Sequence, residues 1–260
     1  MNCKNCNTHL RLEYRFCPGC GAKTEVRRIT FKALSKDFVD RVFDLDNSAV
    51  RTFTGLFTRP EAVIDGYLSG LRKRYLNPVS YLGIALTLSG VILFLIQRFF
   101  KENIDFTGGV ESANPEFSAK WADLVFDFNA LFFLAFLPML ALPAYLIMNK
   151  VRYNLAEYTV VFIYVLAHFS IVSFPISLAT LLINPDYYLP VNQPLQGMML
   201  FYSLFVLWRL NGFRAGAFAG RSVVYLAMVT FLFLLFIASL IVFLFATGVF
   251  QMSDFKPPQA

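Results

Sequence analysis

The feature that most constrains the fold of this chain is a series of long apolar stretches after Pro78. Each approaches the length of about 20 residues that a bilayer core requires of a helix. Hydrophobic residues make up 57% of the chain and charged residues 15%, more apolar surface than a soluble protein could bury. We predict an all-α integral membrane protein with about five transmembrane helices in residues 78–250 and a short tail at 251–260. The five stretches are residues 79–99, 124–148, 158–183, 195–210 and 223–250.

The distribution of positive charge predicts the orientation of these helices. Nineteen of the 23 Lys and Arg residues fall before the first stretch or in the loops after the second and fourth. Cytoplasmic loops of membrane proteins carry the excess of Lys and Arg. The pattern therefore predicts five crossings of the cytoplasmic membrane, with the N-terminus inside and the C-terminus outside. The fourth stretch is the shortest, and if it were re-entrant three arginines would move to the outer side.

All four cysteines lie near the N-terminus in two Cys-x-x-Cys pairs: Cys3, Cys6, Cys17 and Cys20. Two such pairs supply four thiolates in the tetrahedral arrangement of a structural zinc site. No cleavable signal segment precedes them, so we expect a reducing cytosolic location where thiols serve as metal ligands. Iron in the same thiolate cage is the main alternative, and two disulfides would need an oxidising compartment. Four thiolates leave no open position, so the predicted Zn²⁺ is structural.

Residues 1–28 are predicted to form a small β zinc ribbon around this ion. Apolar and polar side chains alternate from residue 9 to residue 16, which is the period of an extended strand. His9 could serve as a ligand but is interpreted as a surface residue of that strand. So short a segment cannot bury enough apolar surface to fold alone. The metal would supply its folding energy, on the order of 10–16 kcal/mol, and removing the ion would unfold it.

Residues 29–77 are predicted to form a cytosolic collar of amphipathic helices. Apolar residues recur at helical spacing between residues 31 and 45. A second helix is predicted to begin with Thr58 as its cap and Pro60 in its first turn. It is predicted to end in three basic residues that contact lipid headgroups, Arg72, Lys73 and Arg74. The collar would lie flat on the bilayer surface or bind a partner through its apolar face.

Three segments together resemble a bacterial membrane family that is catalogued only as a domain of unknown function. They are the four-cysteine ribbon, the segment from Arg51-Thr52-Phe53 to Pro60, and the run Gly66-Tyr67-Leu68-Ser69-Gly70-Leu71-Arg72-Lys73-Arg74-Tyr75-Leu76-Asn77-Pro78. The resemblance covers most of residues 1–100, and the later stretches match only in being apolar. It implies a cytosolic ribbon carried by a multi-span membrane domain, and it brings no activity with it.

Ionisable residues inside a membrane are costly and mark candidate functional sites. His168 lies in the middle of the third stretch. It could relay protons, bind a polar group of a substrate or hydrogen-bond a neighbouring helix. Asp123 and Asp127 are four residues apart and would share one helix face, where they could hold a cation or be solvated. These three residues form the candidate intramembrane polar site.

The sequence leaves two hypotheses for function. In the first, the protein is not an enzyme, and its ribbon and basic collar dock a cytosolic partner, a second copy of the chain or the lipid surface. In the second, it transports a solute or handles lipid along a polar path around His168. No nucleophile, nucleotide-binding or metalloprotease motif is present. The basic residues of the ribbon lack the stacking aromatics of a nucleic-acid surface, so nucleic acid is disfavoured as a partner.

Overall fold

The computed structural model describes residues 45–70, 74–101, 103–104, 124 and 128–249, together with residues 2, 8–9, 11, 14 and 17–20 near the N-terminus. The chain divides into two compact units, Met1–Asp46 and Asn47–Ala260. It is mostly helical, with no strand among the described residues. The predicted helical class of the larger part is therefore confirmed, and the predicted β ribbon stays a prediction.

Seven helices lie within the described residues. Two short ones come first, α1 at Leu45–Thr58 and α2 at Pro60–Leu68. The longer helices are α3 at Pro78–Leu95, which continues as a π-helical turn at Ile96–Phe100, and α4 at Asn129–Ile147, α5 at Leu155–Ile183, α6 at Tyr188–Asn211 and α7 at Ala215–Ala246. A 3₁₀ turn at Pro185–Tyr187 joins α5 to α6.

The long helices alternate in direction along the chain. Tyr81 near the start of α3 contacts His168 of α5, while Ile96 after the end of α3 packs near Leu181 of α5, so these two helices run the same way. α4 runs the opposite way, because its C-terminal neighbour Met148 accepts a hydrogen bond from Tyr158 at the start of α5. We call the end of the bundle where α3 and α5 begin the proximal end, and the other the distal end.

The last two long helices continue this alternation. Asn192 in α6 pairs with Ser177 in the distal half of α5, and α6 ends at Asn211 beside Lys150 in the α4–α5 loop. α6 therefore returns to the proximal end, where α7 begins. Two ring pairs place α7 antiparallel to α4: Phe132 with Phe236, and Phe136 with Phe233.

Local sequence explains where several helices begin and end. The Asn77 side chain caps α3 by accepting a backbone hydrogen bond at 2.9 Å, and Pro78 occupies the first helical position, where it has no donor to lose. Asn154 and Glu157 form a capping box at the start of α5. Gly212, with a φ of 56°, ends α6 in the left-handed conformation that glycine adopts without steric cost.

α5 is the central helix of the bundle and packs against α3, α4 and α6. The side chains of Tyr158, Phe162 and Tyr164 are fully buried in the main core cluster. Among the hydrogen bonds that join it to its neighbours are one between the hydroxyls of Ser170 and Ser89 of α3 and one from the Ser177 hydroxyl to the Asn192 side chain of α6. Such pairs stabilise helix contacts where no water can satisfy the polar groups.

Three of the helices are long and apolar enough to cross a membrane: Pro78–Phe100, Leu155–Ile183 and Ala215–Ala246. This composition is compatible with a membrane protein. The apolar part of α4, Leu131–Ile147, is shorter, and α6 carries polar residues in its first half. All five predicted apolar stretches overlap helices, while length and composition support three of the five predicted spans.

The second helix of the predicted collar begins and ends at other residues than predicted. Thr58 does not cap the second helix, because it is the last residue of α1 and the cap position is Arg59, which makes no side-chain cap hydrogen bond. Pro60 does occupy the first turn of α2, as predicted. α2 ends at Leu68 and not in the three basic residues further on. Gly70 has a φ of 107°, so the chain turns there instead of continuing as a helix.

Apolar residues of both short helices are buried against the bundle, although Val50 and Phe57 of α1 are 61% and 47% exposed. Leu56 of α1 and Val63 and Ile64 of α2 are at most 1% exposed and belong to the main core cluster of the bundle. The apolar face that was predicted to meet lipid or a partner is therefore covered by the protein's own long helices. The predicted helix of residues 31–44 lies outside the described residues.

Candidate functional site

His168 is buried where α1, α3, α5 and α6 meet. Its residue is 1% exposed, and its ring Nδ1 lies 2.9 Å from the hydroxyl of Tyr81. Tyr81 belongs to the first turn of α3, although His168 is near the middle of α5. The sequence predicted His168 in the middle of a membrane span. It does lie near the middle of α5, but it is level with the first turn of α3, close to the proximal end. The difference arises because α5 extends beyond the start of α3.

Four aromatic side chains surround the imidazole. The ring centroids of Phe57 and Phe53 in α1 lie 4.4 and 5.2 Å from that of His168. Tyr202 of α6 lies 5.4 Å away and Tyr81 stacks at 6.3 Å. We call these four residues and His168 the aromatic enclosure. Most of the imidazole's surroundings are therefore aromatic faces and edges, against which a planar ring packs favourably.

The second ring nitrogen, Nε2, has no hydrogen-bond partner among the described residues. A buried polar atom without a partner costs about 1–3 kcal/mol. Most buried polar atoms in proteins are satisfied, so an exception calls for an explanation such as a contact to an aromatic face or a bound polar group. The arrangement can therefore accept one further polar contact at Nε2 without losing the bond to Tyr81.

α1 reaches the enclosure because it packs closely against α2. A side chain at Gly55 would place its Cβ 2.6 Å from Cγ2 of Val63, closer than real contacts allow. The absence of a side chain therefore permits the close crossing of the two helices. Fully buried Thr52 then fixes the connection to α3: its hydroxyl donates to the Ser48 carbonyl at 2.6 Å and accepts from the Leu76 amide at 2.9 Å.

Three polar contacts fasten the helix pair α1–α2 to the bundle. The Tyr202 hydroxyl donates to the Leu56 carbonyl at 3.0 Å. The guanidinium of Arg209 donates two hydrogen bonds to the carboxylate of Glu61, at 2.6 and 3.0 Å. The Tyr153 hydroxyl, just before α5, donates to the carboxylate of Asp65. Glu61 and Asp65 are one turn apart, so α2 carries both acidic contacts on one face.

Burial perturbs the Asp65–Tyr153 pair. Loss of hydration raises the pKa of Asp65, the hydrogen bond from Tyr153 opposes this rise, and the nearby charge of Glu61 adds to it. Burial likewise raises the pKa of Tyr153, and the hydrogen bond to Asp65 raises it further. Tyr153 therefore stays protonated and donates throughout the physiological pH range. Asp65 is the member of the pair that can titrate in acid.

The predicted metal site is only partly within the described residues. Cys17 is buried and Cys20 is exposed. A turn of residues 18–20 follows Cys17 and includes Cys20. Cys3 and Cys6 lie outside the described residues. Among the residues that are described, no group of three potential metal ligands occurs. His9 is exposed and its ring contacts the side chain of Asn2 at 3.3 Å, next to an antiparallel bridge between the same two residues.

Other predicted site residues are only partly described. Asp123 and Asp127 lie outside the described residues, so the predicted carboxylate pair stays a prediction. Of the basic residues predicted to contact lipid, Arg72 and Lys73 also lie outside. Arg74 is exposed, with its guanidinium 5.8 Å from the centroid of the Tyr75 ring.

Sequence reasoning identified His168 but none of its partners. Tyr81, Tyr202 and the two phenylalanines of α1 come from three separate helices, and they stand among 30 Phe and 12 Tyr residues that carry no distinguishing pattern. The ion pair of Glu61 with Arg209 joins positions 148 residues apart. The available signal was Arg209, an arginine at the end of the fourth apolar stretch, and its position in the sequence does not indicate its partner.

The site thus defines a helical, membrane-compatible protein in which α1 packs against a buried histidine. A family model described as "Protein of unknown function (DUF3667)" matches residues 46–90. This segment spans α1, α2 and the first part of α3, and it supplies Phe53, Phe57 and Tyr81 of the aromatic enclosure. No curated protein and no solved structure matches the chain.

Proposed function

We propose that this is a non-enzymatic protein of the cytoplasmic membrane whose zinc ribbon and α1–α2 pair act as a docking or regulatory module. The observation that carries the proposal is the packing of α1 on His168, with Phe57 and His168 centroids 4.4 Å apart. Along the chain the helix pair begins 25 residues after Cys20. A protein partner or second copy that binds the ribbon would therefore act on a helix that closes the core of the membrane domain.

Five membrane crossings are part of this proposal. The alternating directions of α3 to α7 support them. Because α3 and α5 run in the same direction, the chain must return to the proximal end between them, and α4 runs in that direction. The 19 residues of α4 span about 28 Å and the 24 residues of α6 about 36 Å at 1.5 Å per residue. Both lengths are close to the bilayer core of about 30 Å.

The described charges support a cytosolic proximal end. Exposed basic residues concentrate there, while the distal end has few, in agreement with the positive-inside rule. The proximal residues include Arg51, Arg59, Arg74, Lys150, Arg152, Arg209, Arg214 and Arg221, and the distal ones are Arg98 and Lys101. With five crossings the N-terminus would lie in the cytosol and the C-terminus outside. The basic residues Arg72, Lys73 and Arg74 would then face lipid headgroups.

A structural Zn²⁺ would be held by Cys3, Cys6, Cys17 and Cys20. The turn that follows Cys17 is the backbone geometry that two thiolates three positions apart need to reach one ion. The metal would supply the folding energy of the ribbon and take no part in chemistry. His9, exposed and in contact with Asn2, is left as a surface residue.

The coupling of the ribbon to the helix pair can be measured by alkylation of a buried reporter. Leu56→Cys places a thiol on α1 at a fully buried position, and Ala141→Cys places one at an equally buried position of α4. Each reporter is compared with the ribbon intact and with Cys17→Ser/Cys20→Ser, while bound zinc is quantified and labelling is assigned by peptide mass. We expect zinc loss to accelerate labelling at position 56 several-fold and to leave position 141 unchanged. Equal labelling rates at position 56 despite zinc loss would show that the ribbon does not affect the helix pair, and would contradict the coupling.

A transporter or lipid-handling protein is the second candidate function, and the observation that favours it is that Nε2 of His168 has no partner within the described part of the chain. The two functions differ in the variant that abolishes them. A docking module fails with Cys6→Ser and keeps its function with His168→Leu, which retains apolar packing against α1, whereas a polar path fails with His168→Leu first. The readout is the growth or transport phenotype of a deletion strain complemented with each variant at matched expression.

A further inference from the structure

Two loops at the proximal end are locked together beside the start of α7. The side-chain oxygen of Asn211, at the end of α6, accepts hydrogen bonds from the backbone amides of Lys150 and Val151 at 2.9 and 3.3 Å. The Lys150 ammonium in turn donates to the Gly212 carbonyl at 3.1 Å. Asn211 is buried, so these bonds hold the α4–α5 loop in a fixed position against the α6–α7 loop.

The two loops and α7 bring two cations to one aromatic ring. The ammonium of Lys150 lies 5.7 Å, and the guanidinium carbon of Arg221 5.0 Å, from the centroid of Phe213. Both distances fall within the range of a cation–π contact. Arg221 also donates to the Ile147 carbonyl at the end of α4. The ring and two backbone carbonyls therefore fix two exposed positive charges near each other.

Neither cation is neutralised by a carboxylate in the part of the chain that the structure describes, where the ion pair is Arg209 with Glu61. One of three ammonium donors of Lys150 and one of five guanidinium donors of Arg221 are used in the hydrogen bonds above. Two like charges held together with free donors favour an anion that accepts several hydrogen bonds, and a phosphate group does so best.

The surroundings of these cations are typical of the boundary between headgroups and hydrocarbon. Trp208 is 43% exposed, and its indole N–H donates to the Phe213 carbonyl at 3.2 Å. Trp is enriched at this boundary in membrane proteins. Shortly after Arg221 in α7, Val223 and Val224 are 68% and 55% exposed. They begin the apolar surface of that helix. An anion bound here would thus have an apolar helix surface beneath it, which suits a phospholipid with acyl chains and offers nothing to free phosphate.

We infer that Lys150, Phe213 and Arg221 form a binding site for the phosphate of an anionic phospholipid in the leaflet at the proximal end. The site differs from the predicted headgroup contacts of residues 72–74, because its cations are fixed by named bonds. It rests on the proposed membrane location and is independent of the ribbon. Loss of lipid binding would leave zinc content and helix-pair docking unchanged, so the two proposals fail separately.

The test is titration of the full-length protein in a neutral detergent, followed by native mass spectrometry. The probes are phosphatidylglycerol, phosphatidylcholine and inorganic phosphate. We expect phosphatidylglycerol to bind most tightly and Lys150→Gln/Arg221→Gln to weaken it about thirtyfold, since each basic contact is worth about fivefold. The matched control Arg51→Gln/Arg59→Gln removes two exposed charges from the helix pair and should weaken binding less than threefold, because exposed charges away from the site are screened by solvent and salt. Equal losses in the two variants would show a general charge effect and overturn the site.

A second measurement keeps the inference testable if the charge variants fold poorly. The chain has two tryptophans, so Trp121→Phe leaves Trp208 as the remaining fluorophore. Phosphatidylglycerol with brominated chains should quench Trp208 in a saturable manner, and unbrominated phosphatidylglycerol should reverse the quenching while phosphatidylcholine does not. Reversal by inorganic phosphate at the same concentration would identify a phosphate site without lipid selectivity. Quenching that is linear in lipid and unsaturable would rule out a site.

Discussion

The hydroxyl of Tyr81 lies 2.9 Å from Nδ1 of His168, which joins the first turn of α3 to the middle of α5. Both residues are at most 2% exposed, so neither can exchange this partner for water. The bond fixes how far α5 extends past the start of α3. The space created by that offset is the space that α1 fills, with Phe53 and Phe57 against the imidazole.

We predict that Tyr81→Phe destabilises the protein by about 1–3 kcal/mol, because it leaves Nδ1 of His168 buried without a partner. The loss should appear as a lower midpoint of thermal unfolding in detergent. The double variant Tyr81→Phe/His168→Leu removes both polar groups and should recover part of it. Tyr145→Phe, at a partly exposed tyrosine of α4, is the control and should be close to neutral. Additive losses in the double variant would contradict a specific bond.

Gly55→Ala should loosen the helix pair, since the added Cβ would lie 2.6 Å from Cγ2 of the buried Val63. Overpacking of this kind costs about 1–3 kcal/mol. Val63→Ala in the same chain should relieve the clash and restore part of the stability. Gly83→Ala of α3 is the matched control, because nothing lies within 4 Å of its Cβ position. If both alanine variants unfold at the wild-type temperature, the close crossing of α1 and α2 is not tight enough to matter.

Much of the helical architecture could be predicted because the physics is local. A long apolar stretch in lipid must satisfy its own backbone hydrogen bonds, so it can form a helix and little else. The five stretches accordingly overlap α3 to α7. α6 is the least apolar because polar residues such as Asn192 occupy its first half, and there length and composition give the weakest prediction of a span. Asn192 in fact serves an inward contact, to Ser177 of α5.

The site was harder to predict because its contacts are not local. His168 could be found as an ionisable residue in an apolar stretch, yet its neighbours Tyr81 and Tyr202 have no spacing that relates them to it. The apolar face of α2 was visible from residues such as Ile64, but a hydrophobic face does not reveal what covers it. Lipid surface and partner were the predicted alternatives, and the structure places the protein's own bundle there.

Burial of Asp65 should make stability depend on pH in acid. Because burial raises the pKa of Asp65 above its ordinary 3.8, the folded protein holds this proton more tightly than the unfolded chain. The resulting contribution to the free energy of unfolding is fully present below pH 3.8 and is lost as pH rises through the folded pKa. Asp65→Asn should abolish this decline, which is measured as the difference from wild type between about pH 3 and about pH 7.

A companion variant separates this titration from other acidic groups. The hydrogen bond from Tyr153 opposes the rise in the pKa of Asp65. Tyr153→Phe should therefore move the decline in stability to higher pH, whereas Tyr145→Phe should leave it in place. A shift toward lower pH with Tyr153→Phe would show that the hydroxyl does not stabilise the carboxylate.

The Glu61–Arg209 pair should fasten the helix pair with modest energy. Its side chains are 27% and 36% exposed, so solvent screens their attraction. With two hydrogen bonds between the guanidinium and the carboxylate, we expect the pair to contribute up to about 1 kcal/mol to the free energy of unfolding. Glu61→Gln should lower stability by that amount and remove its salt dependence. The exchange Glu61→Arg/Arg209→Glu should restore it in part, and a swap that is worse than both single variants would show that orientation and not charge decides the contact.

The proposed five crossings predict the side on which each loop reacts with a membrane-impermeant maleimide. Single cysteines at Arg152 and Arg214 report on the proximal loops, and one at Tyr187 reports on the distal turn, which is 60% exposed. We expect position 187 to react in right-side-out vesicles, and positions 152 and 214 only in inverted ones. Ala141→Cys, buried in α4, should react in neither, and peptide mass mapping separates the reporters from the native cysteines.

Each departure from this pattern has a distinct meaning. If α6 did not cross, positions 187 and 214 would react from the same side. If α4 did not cross, α3 and α5 would run in opposite directions, in conflict with the contact of Tyr81 with His168 near one end and the packing of Ile96 near Leu181 at the other. A fully reversed pattern would keep five crossings and move the N-terminus outside. The reducing environment that the proposed thiolate zinc site needs would then be lost, and the docking function with it.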